Sequence, residues 1–353
     1  TNTGSTLFVQ YKDSYDVKGI GVQADIALDK KSMTVYVADP ASSQILSCTS
    51  KDRAFSPIQI QFETPLFYPQ SISVDESGLI WAVNPYMHEV LVINSQGKLI
   101  KRYEKPELSL SKPTALACCD KRVAIFDQEL SQVIFLDKDN IKKQYAPIKN
   151  IRHQSTYELM CHSQKSFILL DTDAGYISVF DQGKPFSRHI LSNEQGSQST
   201  NYQDICSGPD ERIFLAATSP PSLGMYNRSG RLMKEHVLAS PYLEHPTAIA
   251  FAADQVWVVD SGKEKIFCFQ LRQAITGIEH SVLGEEYLTL HHPYLAIDEF
   301  QKADDFGYSS YDMHLAWGKA LFAAEQFSPA FKQFKRARNI QPGSLAPSMW
   351  SAR

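Results

Sequence analysis

A short apolar run closed by Asp recurs along this chain at an almost constant interval, and that interval restricts the fold more than any other feature. The copies are VYVAD ending at Asp39, IWAVN at Asn84, VAIFD at Asp127, FILLD at Asp171, IFLAA at Ala217 and VWVVD at Asp260, at spacings of 45, 43, 44, 46 and 43 residues. Each is rich in β-branched and aromatic residues and bounded by turn formers, as a short buried strand should be. A strand precedes every copy: ADIAL (24–28), QSISV (70–74), TALAC (114–118), YELMC (157–161), QDICS (203–207) and TAIAF (247–251). Another follows: QILSC (44–48), EVLVI (89–93), QVIFL (132–136), YISVF (176–180), LGMYN (223–227) and KIFCF (265–269). A fourth, more polar strand is expected at 58–63, 98–104, 186–191 and 231–238, with turns at 94–97 and 227–230 before two of them.

A four-stranded unit repeated six times at this period predicts a mainly β chain, a six-bladed β-propeller over residues 1–275. Each small sheet has two apolar faces, and only neighbouring sheets can cover both. The sixth copy reaches Leu271 without a fourth strand, whereas TLFVQY at 6–11 is strand-like. The N-terminal segment is therefore expected to complete the last blade and close the ring.

The order within each copy is proline, a small-Ile-small strand, a polar turn, then apolar-Tyr/Trp-Val-Ala-Asp and a Gln/Arg-led strand. This order resembles the NHL repeat, most closely over Ser71–Ile93 and Ile249–Phe269. The fifth copy departs most, with TSPPSLG in place of the Asp turn. The resemblance brings in metal-dependent hydrolases of the gluconolactonase type, whose acids follow the blade-opening proline position. Here that position holds Ala24, Gln70, Thr114, Tyr157, Gln203 and Thr247, none of them a carboxylate. The next position holds Asp25, Glu158 and Asp204, with Ser71, Ala115 and Ala248 in the other blades. Three carboxylates near one channel mouth offer oxygen ligands for Ca²⁺ or another divalent cation. The other readings are a like-charge cluster with raised pKa values and acids that cap neighbouring strands. The Asp closing the second strand recurs too regularly to be a ligand set and reads as a turn former.

After Gly277 the strand pattern stops. Residues 276–310 read as a connector, 311–344 as two helices and 345–353 as a tail. Gly318, Phe327, Ala330, Phe334, Ala337 and Pro342 resemble one tetratricopeptide repeat, although Leu321 and His314 stand where aromatics are common, and no second copy is read upstream. One such hairpin cannot bury its own faces. The resemblance implies recruitment of a protein partner.

A net charge of −4 argues against a general polyphosphate binder, so no nucleic-acid partner is expected. No run approaches the roughly 20 apolar residues of a membrane helix. The six cysteines lie in no zinc-binding spacing and read as small apolar fillers. No GxSxG, P-loop, HExxH or Rossmann glycine pattern occurs. Aromatic and apolar side chains in or beside loops, namely Phe67, Tyr68, Tyr86, Met87, Tyr202 and Tyr242, are expected partner contacts, together with Trp317 and Arg336 of the hairpin. The expected function is a non-enzymatic protein-interaction scaffold without a cofactor. The alternative is a metal-dependent lactonase- or lyase-like hydrolase with a cation at Asp25, Glu158 and Asp204. The paired resemblances suggest a bacterial periplasm or envelope, and unpaired cysteines the cytoplasm. The chain begins TNTGS rather than with Met, which leaves a removed targeting segment open.

Overall fold

The computed structural model describes residues 6–49, 51–138, 143–149, 151–152, 155–163, 166–181, 183–191, 201–208, 212–226, 232–239, 242–274 and 277–342. The turn expected at 227–230 and the tail at 345–353 lie outside them. The chain forms two compact units, one spanning Val9–Leu271 and one that joins the N-terminal residues through Phe8 to the chain from Arg272 onward and contains the helices.

The first unit is a ring of six four-stranded antiparallel sheets. β1 (Thr6–Asp16) is the N-terminal strand. Blade one is β2 (Asp25–Asp29), β3 (Thr34–Asp39), β4 (Gln44–Cys48) and β5 (Ser56–Pro57). Blade two is β6 (Ser71–Val74), β7 (Ile80–Asn84), β8 (Glu89–Ile93) and β9 (Leu99–Tyr103). Blade three is β10 (Pro113–Cys119), β11 (Arg122–Asp127), β12 (Gln132–Asp137) and β13 (Lys143–Pro147). Blade four is β14 (Tyr157–Ser163), β15 (Ser166–Asp171), β16 (Tyr176–Asp181) and β17 (Lys184–Ile190). Blade five is β18 (Tyr202–Ser207), β19 (Ile213–Thr218), β20 (Pro221–Tyr226) and β21 (Leu232–Ala239). Blade six is β22 (Pro246–Ala252), β23 (Gln255–Asp260) and β24 (Lys265–Ala274), and β1 supplies its outer strand in the order β1-β24-β23-β22. The ring therefore closes as the sequence suggested, by pairing the first strand with the last.

The continuous apolar runs have a simple cause. Successive residues of a strand point to opposite faces, and both faces of each blade are covered by a neighbour. In β3, Val35 and Val37 pack with Ala248, Trp257 and Ile266 of blade six, whereas Tyr36 and Ala38 pack with Ile72, Ile80 and Leu91 of blade two. In β11, Val123 and Ile125 face blade two and Ala124 and Phe126 face blade four. Each fully buried large aliphatic side chain contributes about 1.5–3 kcal/mol, so one middle strand stabilises two interfaces.

Two sequence expectations need correction here. The outer strand of blade one is only Ser56–Pro57, not 58–63. Beyond Pro57 the chain turns to blade two, where the Gln61 N–H donates to Gly97 O (2.9 Å) and its side chain to Gln96 O (2.8 Å). Ile58, Ile60 and Phe62 still pack on the interface of blades one and two. The second correction concerns the cysteines. Cys119 and Cys161 form a disulfide, with Cα atoms 5.4 Å apart, between the inner strands of blades three and four. Cys48, Cys118, Cys206 and Cys268 are free thiols.

The second unit holds α1 (Gly277–Thr289), α2 (Pro293–Asp305), α3 (Tyr311–Ala323) and α4 (Phe327–Ile340). The segment 276–310, read as a connector, thus contains a helical pair of its own. α1 packs on α2, α3 on α4, and α2 on α3. The Ser310 side chain caps α3 by accepting the Met313 N–H at 3.1 Å. The two pairs correspond at a spacing of 34 residues: His280 with His314, Gly284 with Gly318, Ala296 with Ala330, Phe300 with Phe334 and Ala303 with Ala337. These residues are buried in both pairs. In each, the glycine lies against the ring of the phenylalanine on the facing helix. In each, the histidine Nδ1 meets a side-chain oxygen of that helix, Glu299 Oε2 at 2.7 Å and Gln333 Oε1 at 2.9 Å.

Candidate functional site

The inner strands β2, β6, β10, β14, β18 and β22 surround a central cavity of about 310 Å³. All six run in the same sense, so equivalent residues ring the channel. The starts of the strands bring Asp25, Ser71, Glu158 and Asp204 to its wall, and their ends bring Asp29, Lys30, Lys31, Glu76 and Asp120.

Two of the three acids are committed to the backbone. Asp25 Oδ1 accepts the Ile26 N–H and Oδ2 the Ile72 N–H, both at 2.7 Å. Asp204 does the same with Ile205 and Ile249, both at 2.6 Å. Ser71 Oγ accepts the Leu116 N–H at 3.3 Å. At this one position, blade one is thus tied to two, two to three, and five to six. Ala115 and Ala248 have no atom for the task. Glu158, one methylene longer than Asp, accepts no hydrogen bond among the described residues and lines the cavity. Among the described residues no group of three His, Cys, Asp or Glu side chains is placed to hold a metal ion.

The electrostatics follow from burial. Loss of water pushes Asp25 up to about 6, against the opposing effect of its hydrogen bonds from Ile72, Ser71 and Ile26. Burial, and then the charges of Asp204 and Asp25, holds Glu158 well above the usual carboxylate range. Burial and the charge of Asp25 do the same to Asp204. The folded chain therefore binds protons that the unfolded chain has released. Stability should fall as pH rises from about 4, the unfolded carboxylate value, through 6 and beyond. Glu158→Gln removes the acid that no hydrogen bond stabilises. We expect it to raise the thermal midpoint by roughly 2–4 °C near pH 7.5 and to leave it unchanged near pH 4. Melts of both proteins at the two pH values check this, and equal midpoints at the higher pH would show that the channel acids do not oppose folding.

The second ring of acids is structural throughout. Asp39 accepts from the Gly21 N–H (3.2 Å) and the Ser42 hydroxyl (2.5 Å). Asp127 accepts from the Ser111, Lys112 and Leu130 N–H groups at 2.7, 3.1 and 3.1 Å. Asp171 accepts from Ala174 N–H (3.0 Å) and the Tyr157 hydroxyl (3.2 Å). Asp260 accepts from the Glu244, His245 and Lys263 N–H groups at 2.7, 3.0 and 3.0 Å. Except in Asp171, whose second donor is a residue of β14 itself, these bonds fasten the segment leading into a blade to the turn after its second strand. In blade five, which lacks the Asp, the Thr218 N–H reaches Asn201 O instead (3.0 Å).

The expected partner contacts divide. Phe67 is buried between blades one and two, against Phe62. Tyr202 is buried between blades four and five, its hydroxyl 3.0 Å from that of Tyr226. Trp317 is buried in the helical core. These three rings are turned inward: Tyr202 opens a strand, Trp317 lies on the inner stripe of a helix, and Phe67, in the irregular segment before β6, packs into the interface of blades one and two. Tyr242 stacks on Tyr11 at 4.8 Å and packs on Phe267 and Phe269. Arg336 pairs with both oxygens of Asp304, at 2.8 and 2.9 Å. Tyr68 and Tyr86 meet edge to face at 4.8 Å, with Met87 beside them, and Tyr86 is 61% exposed. Of the loop aromatics, this pair remains the surface patch. The thiols lining the cavity are held neutral by burial, which pushes Cys118 up to about 12 and Cys206 well above its ordinary value.

No protein-family model and no curated protein matches the sequence. Similarity to solved structures is of fold. The chain resembles a virginiamycin B lyase from Staphylococcus aureus, crystallised with quinupristin as a catalytically inactive histidine-to-alanine variant. The two share 13% identity and a TM-score of 0.55, over 77% of this chain and 97% of that one. It resembles a Xanthomonas campestris gluconolactonase at 11% identity and TM-score 0.53, over 76% of this chain and 90% of that one. It also resembles a chain in a nidogen/laminin complex at 14% identity and TM-score 0.51, over 65% of this chain and 84% of that one. The class they define together with the closed ring is the six-bladed β-propeller.

Proposed function

We propose that the chain is a non-enzymatic protein-interaction scaffold, with an NHL-like propeller and a tetratricopeptide-like helical unit as its two binding modules. One observation carries this reading. Of the channel acids that a hydrolytic cation would need, Asp25 and Asp204 hold backbone N–H groups of their own and the next blade. Among the described residues the cavity wall also contains no histidine, whereas the lyase of this fold is inactive when a histidine is replaced. The exposed Tyr68–Tyr86 pair fits a rim contact with a protein, because aromatic side chains anchor such interfaces. A fold shared with a chain of the nidogen/laminin complex agrees with a protein partner. An envelope or periplasmic setting goes with this reading, since the Cys119–Cys161 disulfide needs an oxidising compartment to persist.

The test compares the full chain with Tyr86→Ala. Affinity capture from source cells should recover a stoichiometric partner, and Tyr86→Ala should reduce its recovery about tenfold. Elemental analysis of the purified chain should find no stoichiometric divalent ion. A bound ion that Glu158→Gln abolishes, accompanied by lactone hydrolysis, would instead establish the enzyme reading.

A further inference from the structure

The 34-residue correspondence between the two helical pairs shows which surfaces the stack leaves bare. Within the unit, α3 lies against both α1 and α2, and Ile297 of α2 and Ala316 of α3 both pack against the core that the two pairs share. The residue equivalent to Ile297 in the second pair is Phe331 of α4, which is 52% exposed. The residue equivalent to Ala316 in the first pair is Val282 of α1, which is 49% exposed. Two positions that pack on the shared core where the pairs adjoin thus have exposed apolar counterparts on α4 and α1.

The two faces are both apolar and opposite in charge. Phe327 and Phe331 lie one turn apart on α4, and Ile278 and Val282 one turn apart on α1, with Phe327 and Ile278 58% and 57% exposed. α4 carries Lys332, Lys335, Arg336 and Arg338 and no acid, whereas α1 carries Glu279, Glu285 and Glu286 and neither Lys nor Arg, with Glu279 and Glu286 already engaged within the molecule. Arg336 is paired with Asp304 inside the unit, which leaves three cations on α4 for the contact.

We propose that a second copy of this chain docks its α1 on the exposed face of α4, so that the helical stack continues from one molecule into the next. The proposal rests on the interaction-scaffold reading and names one partner of its helical module. Because the two surfaces differ, the contact is heterologous and grows as an open chain rather than closing as a symmetric pair. The opposed charges steer encounter and make it sensitive to salt.

Sedimentation velocity of the full chain from about 1 to 200 µM tests the proposal. Species larger than a dimer should accumulate with concentration and recede at high salt. Phe331→Asp and Val282→Asp should each weaken association at least about tenfold, with circular dichroism melts unchanged because both positions are exposed. The decisive arm mixes the two variants. Each retains the half that the other has lost, so the mixture should form a one-to-one dimer and nothing larger. A chain that stays monomeric at every concentration overturns the proposal, and would mean that α4 is covered by residues 343–353 or by another protein. A mixture that fails to pair, or a dimer indifferent to both substitutions, overturns it too. Monomeric behaviour with partner capture intact would leave the scaffold reading standing.

Discussion

Replacing Asp260 with alanine is expected to destabilise the propeller by about 3–5 kcal/mol, from stranding three backbone donors at about 1–3 kcal/mol each, less what water recovers. The side chain is fully buried and accepts from three backbone N–H groups, those of Glu244, His245 and Lys263. Alanine leaves all three donors without that partner, at about 1–3 kcal/mol for each that water cannot reach. Two of the donors belong to the segment that leads into blade six, and the third to the turn after β23. The substitution therefore loosens the blade on which the ring closes. Asp260→Asn keeps one acceptor oxygen and should cost about half as much. Blade two provides an internal comparison. There Asn84 accepts the Tyr68 N–H (3.3 Å) and donates to Leu66 O (2.7 Å) and to the buried Glu89 Oε1 (2.8 Å). An aspartate at 84 would set two carboxylates side by side with no donor between them, so Asn84→Asp should destabilise although it restores the residue type of the other blades. Urea titrations followed by tryptophan fluorescence, with Trp257 on the same strand, check both. A loss under about 1 kcal/mol for Asp260→Ala would mean that the three N–H groups find water instead.

The ring was legible because each blade repeats one local solution. Apolar runs of the same length, ended by the same Asp, fix strand positions whatever their contacts, and the missing outer strand after Leu271 pointed to the N-terminal segment. What depends on the offset between blades was not legible. Asp25 and Asp204 look like free carboxylates at a channel mouth until blade packing brings the N–H groups of Ile72 and Ile249 to them, 47 and 45 residues away. Cys119 and Cys161 are separated by about one repeat, 42 residues, so their pairing requires two inner strands to face each other at that level. Tyr202 and Phe67 sit next to turns in the chain, and only the closing of neighbouring blades turns their rings inward. The first helical pair was missed for another reason. Its buried skeleton of His280, Gly284, Ala296, Phe300 and Ala303 repeats the second pair, but Leu283 stands for Trp317 and Glu299 for Gln333, so identity at single positions is low. Alignment of the Gly and Phe that touch across each pair would have disclosed it.

Those contacts support the second large effect. Gly318→Ala should destabilise the α3–α4 pair by about 2–3 kcal/mol, the upper part of the range for overpacking a filled core. An added methyl carbon would lie 2.3 Å from the nearest ring atom of Phe334 and 2.5 and 2.9 Å from two others. Phe334 is 2% exposed and packs in the same cluster as Trp317, Leu321 and Ala330, so its ring has no space to turn. The helices must separate. Alanine's better helix propensity returns only about 1 kcal/mol, which leaves a net loss. Gly284→Ala meets Phe300 at 2.7 Å and should cost less. Both glycines belong to the helical unit, so hydrogen exchange should rise across residues 311–340 and remain unchanged in the blades. Phe334→Leu in the Gly318→Ala background removes the ring atoms nearest the new methyl and should recover part of the loss, whereas alone it should destabilise. That opposite sign in the two backgrounds is the signature of direct contact. Additive losses would place the damage of Gly318→Ala elsewhere than against Phe334.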